Sequence, residues 1–235
     1  MVKVCVLGSG SAGNAVYINL GGYEILIDAG FTYKELSRRL GLIGKDVKDI
    51  KDIYISHQHV DHNKAVPQFL KKNVSVYDNV YGWNQENSAG YKIQTFMLSH
   101  DDPCHGFRIE YQDFVLMYLP DTGCIPEEAL KYCFGSTVIL MEFNYDLEML
   151  TENQKYSVEL IERIASDEGH MDNVESGRIL AELNHDKLEL VVPLHLSEMN
   201  NNPALALYEA GKGLGDHVEL ALSYQDRPTK VFYFV

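Results

Sequence analysis

Residues 57–62 read His57-Gln58-His59-Val60-Asp61-His62. Imidazole nitrogens and carboxylate oxygens suit zinc and similar divalent ions. His57 and His59, at i and i+2, can face one ion, and Asp61 and His62, past the bend, can face a second. One short loop can therefore supply half of a two-metal centre, the kind that activates a water and clamps both oxygens of a displacement. The stretch is internal and follows an apolar run, residues 52–56, which sets it apart from a tag or a low-complexity tail. Further residues with ligand chemistry recur directly after apolar runs: Asp28 after Ile25-Leu26-Ile27, His100 after Met97-Leu98-Ser99, Asp121 after Tyr118-Leu119-Pro120, and His195 after Val192-Pro193-Leu194. Strand ends gathered on one edge are a natural way to build a site from residues far apart in sequence.

The elements that must position these groups follow from periodicity and turn signals. Strands are expected at residues 2–7, at 15–20 and 23–27 as a hairpin around Gly21-Gly22, at 52–55 leading into the histidine loop, and at 74–77 and 92–98. Residues 107–111 and 114–119 read as a second hairpin, followed by strands at 137–142, 188–194, 218–222 and 231–235. Helices are expected at 33–40 (ending at Gly41), 66–72, 127–132, 154–165, 174–183 and 203–211. Residues 78–91 form a polar excursion flanked by Tyr77, Tyr81, Trp83 and Tyr91, either a long hairpin or an aromatic lid able to stack a base. Strands that first meander and then alternate with helices fit two packed sheets with helices outside better than one parallel sheet. With no linker or repeat, residues 1–235 read as a single α/β domain.

The composition is that of a globular chain, 46% hydrophobic and 23% charged. Disorder is not expected, nor is a membrane span or a secretory leader. Cys5, Cys104, Cys124 and Cys133 show no paired spacing, so reduced thiols and a cytoplasmic setting are expected. Twenty basic residues against 34 acidic ones give a net charge of −14, which disfavours a long polyanionic partner relative to a small substrate. Gly8-Ser9-Gly10-Ser11-Ala12-Gly13 satisfies the dinucleotide fingerprint, but that fingerprint needs a helix to open at the loop, and residues 14–20 read as a strand. These glycines serve a tight turn or a close backbone approach instead.

The order Leu26-Ile27-Asp28-Ala29-Gly30, His57-x-His59-x-Asp61-His62, Ser99-His100, Asp121-Thr122-Gly123 and His195-Leu196-Ser197 resembles the metallo-β-lactamase superfamily over nearly the whole chain. The glycine loop with Asn14, the Gly169-His170-Met171-Asp172-Asn173 turn, and Asn200-Asn201-Asn202 are similar to the YycJ (WalJ)-like branch. Asn144-Tyr145-Asp146 departs from that branch, which commonly has Asn-His-Asp there. The resemblance implies a four-layer αββα metallo-β-lactamase sandwich and two divalent ions, zinc first and manganese as the alternative. It places His57, His59 and His100 on one ion, and Asp61, His62 and His195 on the other, with Asp121 shared. Asp28 would orient the histidine loop.

The implied chemistry is hydrolysis of a phosphodiester by a water activated between the ions, with Asp61 also able to accept a proton. His170 is the candidate for protonating the leaving oxygen, oriented by Glu142. Asn14, Asn200 and Asn202 are candidate substrate contacts, with helix capping the competing role for one of the last two. The favoured substrate is a small cyclic nucleotide, as for phage enzymes of the anti-Pycsar type. A YycJ-like 5′–3′ DNA exonuclease is the alternative, and a thioester or lactone hydrolase comes third. A homodimer is expected from the resemblance alone.

Overall fold

The structure, a computed structural model, describes residues 1–78 and 80–235. In chain order its elements begin β1 (Val2–Gly8), β2 (Ala15–Leu20), β3 (Tyr23–Ile27), α1 (Tyr33–Leu42), β4 (Asp52–Tyr54), α2 (Val60–Asn63), α3 (Val66–Leu70), β5 (Ser75–Tyr77) and β6 (Asn84–Glu86). They continue β7 (Lys92–Leu98), β8 (Cys104–Tyr111), β9 (Phe114–Leu119), α4 (Glu127–Cys133), β10 (Val138–Glu142), α5 (Leu147–Thr151) and α6 (Val158–Ile164). The last are α7 (Asn173–Leu183), β11 (Leu190–Leu194), α8 (Pro203–Gly211), β12 (Glu219–Leu220) and β13 (Phe232–Phe234). The chain divides into two compact units, one of Met1–Val80, Glu86–Tyr91 and Ser223–Val235, the other of Tyr81–Gln85 and Lys92–Leu222.

In the first unit the sheet order is β13-β1-β2-β3-β4-β5. β1 is antiparallel to β2 and β2 to β3, while β3, β4 and β5 are parallel. β1, β3 and β4 therefore run the same way, and the glycine loop, Asp28 and the histidine loop leave the sheet at one edge. Leu26, Ile53, Leu36, Leu40 and Phe69 form the core under this sheet. Helix α1 is started by Thr32, whose side chain accepts from Glu35 N, and it buries Leu36, Arg39 and Leu40 on one face at helical spacing. Burying each such leucine contributes roughly 1.5–3 kcal/mol. Arg39 is buried because it is fully engaged, bonding Glu35 Oε1 at 2.7 Å, Leu7 O at 2.8 Å and Gln225 O at 2.8 Å.

In the second unit the sheet order is β12-β11-β10-β9-β8-β7-β6. β7, β8 and β9 are an antiparallel meander, and β9, β10, β11 and β12 are parallel. β7, β9, β10 and β11 share one direction, so their C-terminal ends also lie on one edge. Met117, Leu119, Ile139 and Met141 pack with Ile179 and Leu180 of α7 and Ala206 and Ala210 of α8. Gly177 allows the two helices to close up, because a Cβ there would stand 2.6 Å from Glu209 O.

The expected strands and helices are present, several with shifted ends. The helix expected at 154–165 is confined to Val158–Ile164: Asn153 Oδ1 accepts from Lys155 N, and Ser157 caps the helix at Leu160 N. Two short helices, Val60–Asn63 and Leu147–Thr151, are too brief to show a period in sequence. The closing strand expected at 218–222 pairs only at Glu219 and Leu220. Within the 78–91 excursion, Asn79 lies outside the described residues. Tyr91 is no lid residue. It is fully buried, its hydroxyl 2.6 Å from that of Tyr54 and 2.9 Å from Asp52 Oδ2, while Tyr77 stacks on Tyr54 with ring centroids 5.0 Å apart.

Candidate metal centre

The histidine loop leaves β4 through Ser56, and the fully buried Asp28 organises it. Asp28 Oδ1 accepts from Ser56 N at 2.8 Å, and its Oδ2 accepts from Ser56 Oγ at 2.9 Å and His62 Nδ1 at 2.7 Å. The carboxylate is aimed this way by a left-handed backbone at Asp28, φ 60°, a conformation Asp tolerates better than most residues. Because the Ser56 hydroxyl donates to Asp28, Ser56 Oγ accepts from His57 Nδ1 at 3.0 Å. Both histidines thus carry Nδ1–H and present Nε2 lone pairs. His57 Nε2 stands 3.1 Å from His59 Nδ1, and His62 Nε2 stands 3.8 Å from Asp61 Oδ2.

Asn14 holds the glycine loop to Asp61 and His62. Its Oδ1 accepts from Gly10 N at 2.8 Å and Ser9 Oγ at 3.0 Å, while its Nδ2 lies 2.9 Å from His62 Nε2 and 3.4 Å from Asp61 Oδ2. The backbone matches: Asn14 N donates to Asp61 O at 2.7 Å, and Ala29 N to His62 O at 2.7 Å. Gly30 makes this approach feasible, since a Cβ there would lie 1.5 Å from Asp61 O. Strand β2 follows directly, with no helix opening at the glycine loop, so the loop serves as a brace rather than a dinucleotide site.

The second unit brings together His100, Asp121, Glu142, His170 and His195. His100 Nδ1 donates to Gly169 O at 3.0 Å, which leaves its lone pair on Nε2. Asp121, buried past the end of β9, lies 3.2 Å from His195 Nδ1. His195 is held at φ 53°. The fully buried Glu142 is the hub: its Oε1 is 2.7 Å from His170 Nδ1, 2.9 Å from His195 Nδ1 and 3.2 Å from Asn144 Nδ2. Its Oε2 accepts from Thr122 N at 2.9 Å. Burial alone would push the Glu142 carboxyl up, yet the His170 charge and the two imidazole hydrogen bonds hold it below the usual carboxylate range. Burial likewise opposes charge on His170, but the Glu142 carboxylate holds its pKa above the ordinary imidazole value.

The donor set fits a borderline divalent ion. It is imidazole and carboxylate with no thiol, and His57, His62, His100 and His195 each have Nδ1 fixed by a carboxylate, hydroxyl or carbonyl, the arrangement that orients a metal-binding histidine. Asn202 caps α8 by accepting from Ala204 N at 2.8 Å, and Asn200 Oδ1 accepts from Asn153 Nδ2 at 2.5 Å. Ser56 and the buried Asn201 lie outside the residues predicted for the site; Asn201 donates to the Phe143 and Asn144 carbonyls and pairs with Asn173. Neither has a spacing signal; a buried amide shows itself only by its partners.

Residues 8–120, from the glycine loop to the end of β9, match the family model described as metallo-beta-lactamase superfamily. The chain carries a metallo-β-lactamase superfamily domain. It is 27% identical to exodeoxyribonuclease YycJ of Bacillus anthracis over 259 aligned positions, covering 97% of each chain. Among solved structures, the metallo-beta-lactamase fold protein YhfI from Bacillus subtilis superposes with a TM-score of 0.70 at 17% identity, covering 98% of this chain and all of that one (100%). A diphosphatase from the PhnP family superposes with a TM-score of 0.65 at 17% identity, covering 100% of this chain and 98% of that one. The solved structures show the metallo-β-lactamase fold, and the family match over residues 8–120 identifies a metal-dependent hydrolase of that superfamily. Among the described residues no helix is long and apolar enough to cross a membrane.

Proposed function

We propose that this metallo-β-lactamase-fold protein is a metal-dependent phosphodiesterase that acts on DNA ends, in the 5′–3′ sense implied by its likeness to the YycJ branch. The two units are read as halves of one domain, working in the cytoplasm as a homodimer. The observation that carries the reading is the match to an exodeoxyribonuclease over 97% of each chain, together with buried imidazoles held by carboxylates.

In this reading His57, His59 and His100 would hold one divalent ion, and Asp61, His62 and His195 the other, with Asp121 available to both; zinc suits the donors best and manganese second. When bound, the ions would supply Lewis acidity toward the phosphodiester and acidify a water. The chain's own residues do the rest. Asp28 and Ser56 fix the tautomers of His57 and His62, and Asp61 would take a proton. The charge that Glu142 stabilises on His170 gives a proton to hold for the departing oxygen. Asn14 would border the scissile phosphate.

A small cyclic nucleotide is the second reading, favoured by the net charge of −14. The deciding experiment loads the protein with zinc or manganese and offers 3′,5′-cyclic mononucleotides, cyclic dinucleotides and 5′-phosphorylated DNA, with Asp61→Ala as the blank. Stepwise, metal-dependent loss of DNA with cyclic nucleotides untouched is expected. Opening of cyclic nucleotides with DNA intact would reverse the assignment, and turnover by Asp61→Ala would sink the metal site.

A further inference from the structure

The acidity of the chain belongs to one unit. The first unit carries twelve Lys and Arg against ten Asp and Glu, a net of +2, and the second carries eight against twenty-four, a net of −16, which together make the −14 of the whole. A polyanion is repelled by the second surface and tolerated by the first. The histidine loop and the glycine loop both belong to the first unit.

Beside the glycine loop runs the segment that begins at Ser223. Ser9 N donates to Tyr224 O at 3.1 Å, and Arg39 Nη2 donates to Gln225 O at 2.8 Å. The Gln225 side chain lies against Gly10, where a Cβ would stand 2.6 Å from Gln225 Cδ. Tyr224 is therefore fixed to the same loop whose Asn14 reaches Asp61 and His62. The Arg227 guanidinium lies over the Tyr224 ring, 3.9 Å from its centroid, and its side chain is 58% exposed. Its ion pair with the exposed Asp226 spans 3.4 Å, a surface contact that gives way readily to a stronger anion.

We propose that Tyr224 and Arg227 form a cationic, aromatic lip that receives a single-stranded polynucleotide beside the histidine loop. The inference rests on the phosphodiesterase reading above and adds how the strand is held. The stacked pair offers a flat surface to a base, and the guanidinium offers its planar fork to a backbone phosphate. Such a lip is indifferent to sequence, as an enzyme that must accept every successive nucleotide requires.

The test measures binding of a fluorescent, 5′-phosphorylated single-stranded oligonucleotide to the full chain by anisotropy over a salt series. Tyr224→Ala and Arg227→Ala should each weaken binding roughly tenfold, with Tyr224→Phe restoring it. Arg227→Ala should also reduce the slope of log affinity against log salt by about one. Lys3→Ala removes another cation–aromatic pair, over Tyr233, at the opposite end of β1, and should bind as wild type.

No measurable binding by wild type, or wild-type binding by both Tyr224→Ala and Arg227→Ala, would overturn the lip. A loss with Arg227→Ala alone would overturn its stacking half. Binding that depends on both residues, with the metal-loaded protein leaving the strand uncut, would overturn the phosphodiesterase reading while the lip stands.

Discussion

At the scale of single residues, the site is built by carboxylates that serve imidazoles. Asp28 fixes His62 directly and His57 through Ser56. Asp28→Asn keeps the shape but puts an amide where one oxygen must accept from both the Ser56 hydroxyl and the His62 ring. Loss of such a partner typically weakens metal binding roughly 10–100-fold. The expected result is a drop of that size in zinc affinity against a competing chelator, with the circular dichroism spectrum unchanged. Unaltered affinity would mean that the ligands are oriented by something else. Glu142 repeats the design in the second unit, where one carboxylate holds His170 and His195. Its position at the end of a predicted strand made it a candidate orienter in sequence; its bond to His195 had no such signal.

At the scale of elements, the candidate ligands stand where strands stop, and backbone approach sets how closely the loops nest. Gly30→Ala would drive a methyl group into the Asp61 carbonyl, so the loop after β3 and the histidine loop must separate. A cost of at least about 1–3 kcal/mol is expected, read as a lowered denaturant midpoint, along with loss of metal binding. A variant with wild-type midpoint and metal affinity would refute the nesting.

Helix α1 offers a pH test. Hydrogen bonding to Arg38, aided by Arg39 against the opposing effect of burial, holds the Glu35 carboxyl down at about 2. A depressed carboxyl contributes stability that is complete above its unfolded value, roughly 4.3, and is lost as pH falls from there toward about 2. Glu35→Gln should therefore lower the thermal midpoint at pH 5 and bring it toward wild type near pH 2.5. Parallel curves for the two proteins would show that the pair contributes nothing.

At the scale of the whole molecule, metal and charge are the quantities to measure. A metal bound only by the folded chain stabilises it by mass action, about 2.7 kcal/mol at a hundred times the dissociation constant. Chelation should then lower the thermal midpoint by roughly 5–10 °C for a chain of this size and abolish hydrolysis, with both restored by zinc. An unchanged midpoint after verified metal removal would argue against a built centre. The charge is a lesson in averaging: a net of −14 is true of the chain and misleading for the unit that carries the histidine loop.

Legible in the sequence alone are the candidate ligands, their order and the strands that present them. Those depend on local rules: side-chain chemistry, spacing within one loop, and a turn or chain break after an apolar run. The strand after the glycine loop is also legible, and it denies the loop a dinucleotide role. What each candidate ligand leans on emerges only in the folded chain. The Glu142 hub, the Asn173–Asn201 pair and the burial of Tyr91 against Tyr54 and Asp52 join residues with no common period. The return of the C-terminal segment is the clearest case. Arg39 and Gln225 are 186 residues apart, yet their contact fastens Tyr224 beside the glycine loop. Local propensity carries no information about such closures, because they are selected by packing and hydrogen-bond satisfaction once the sheet has formed.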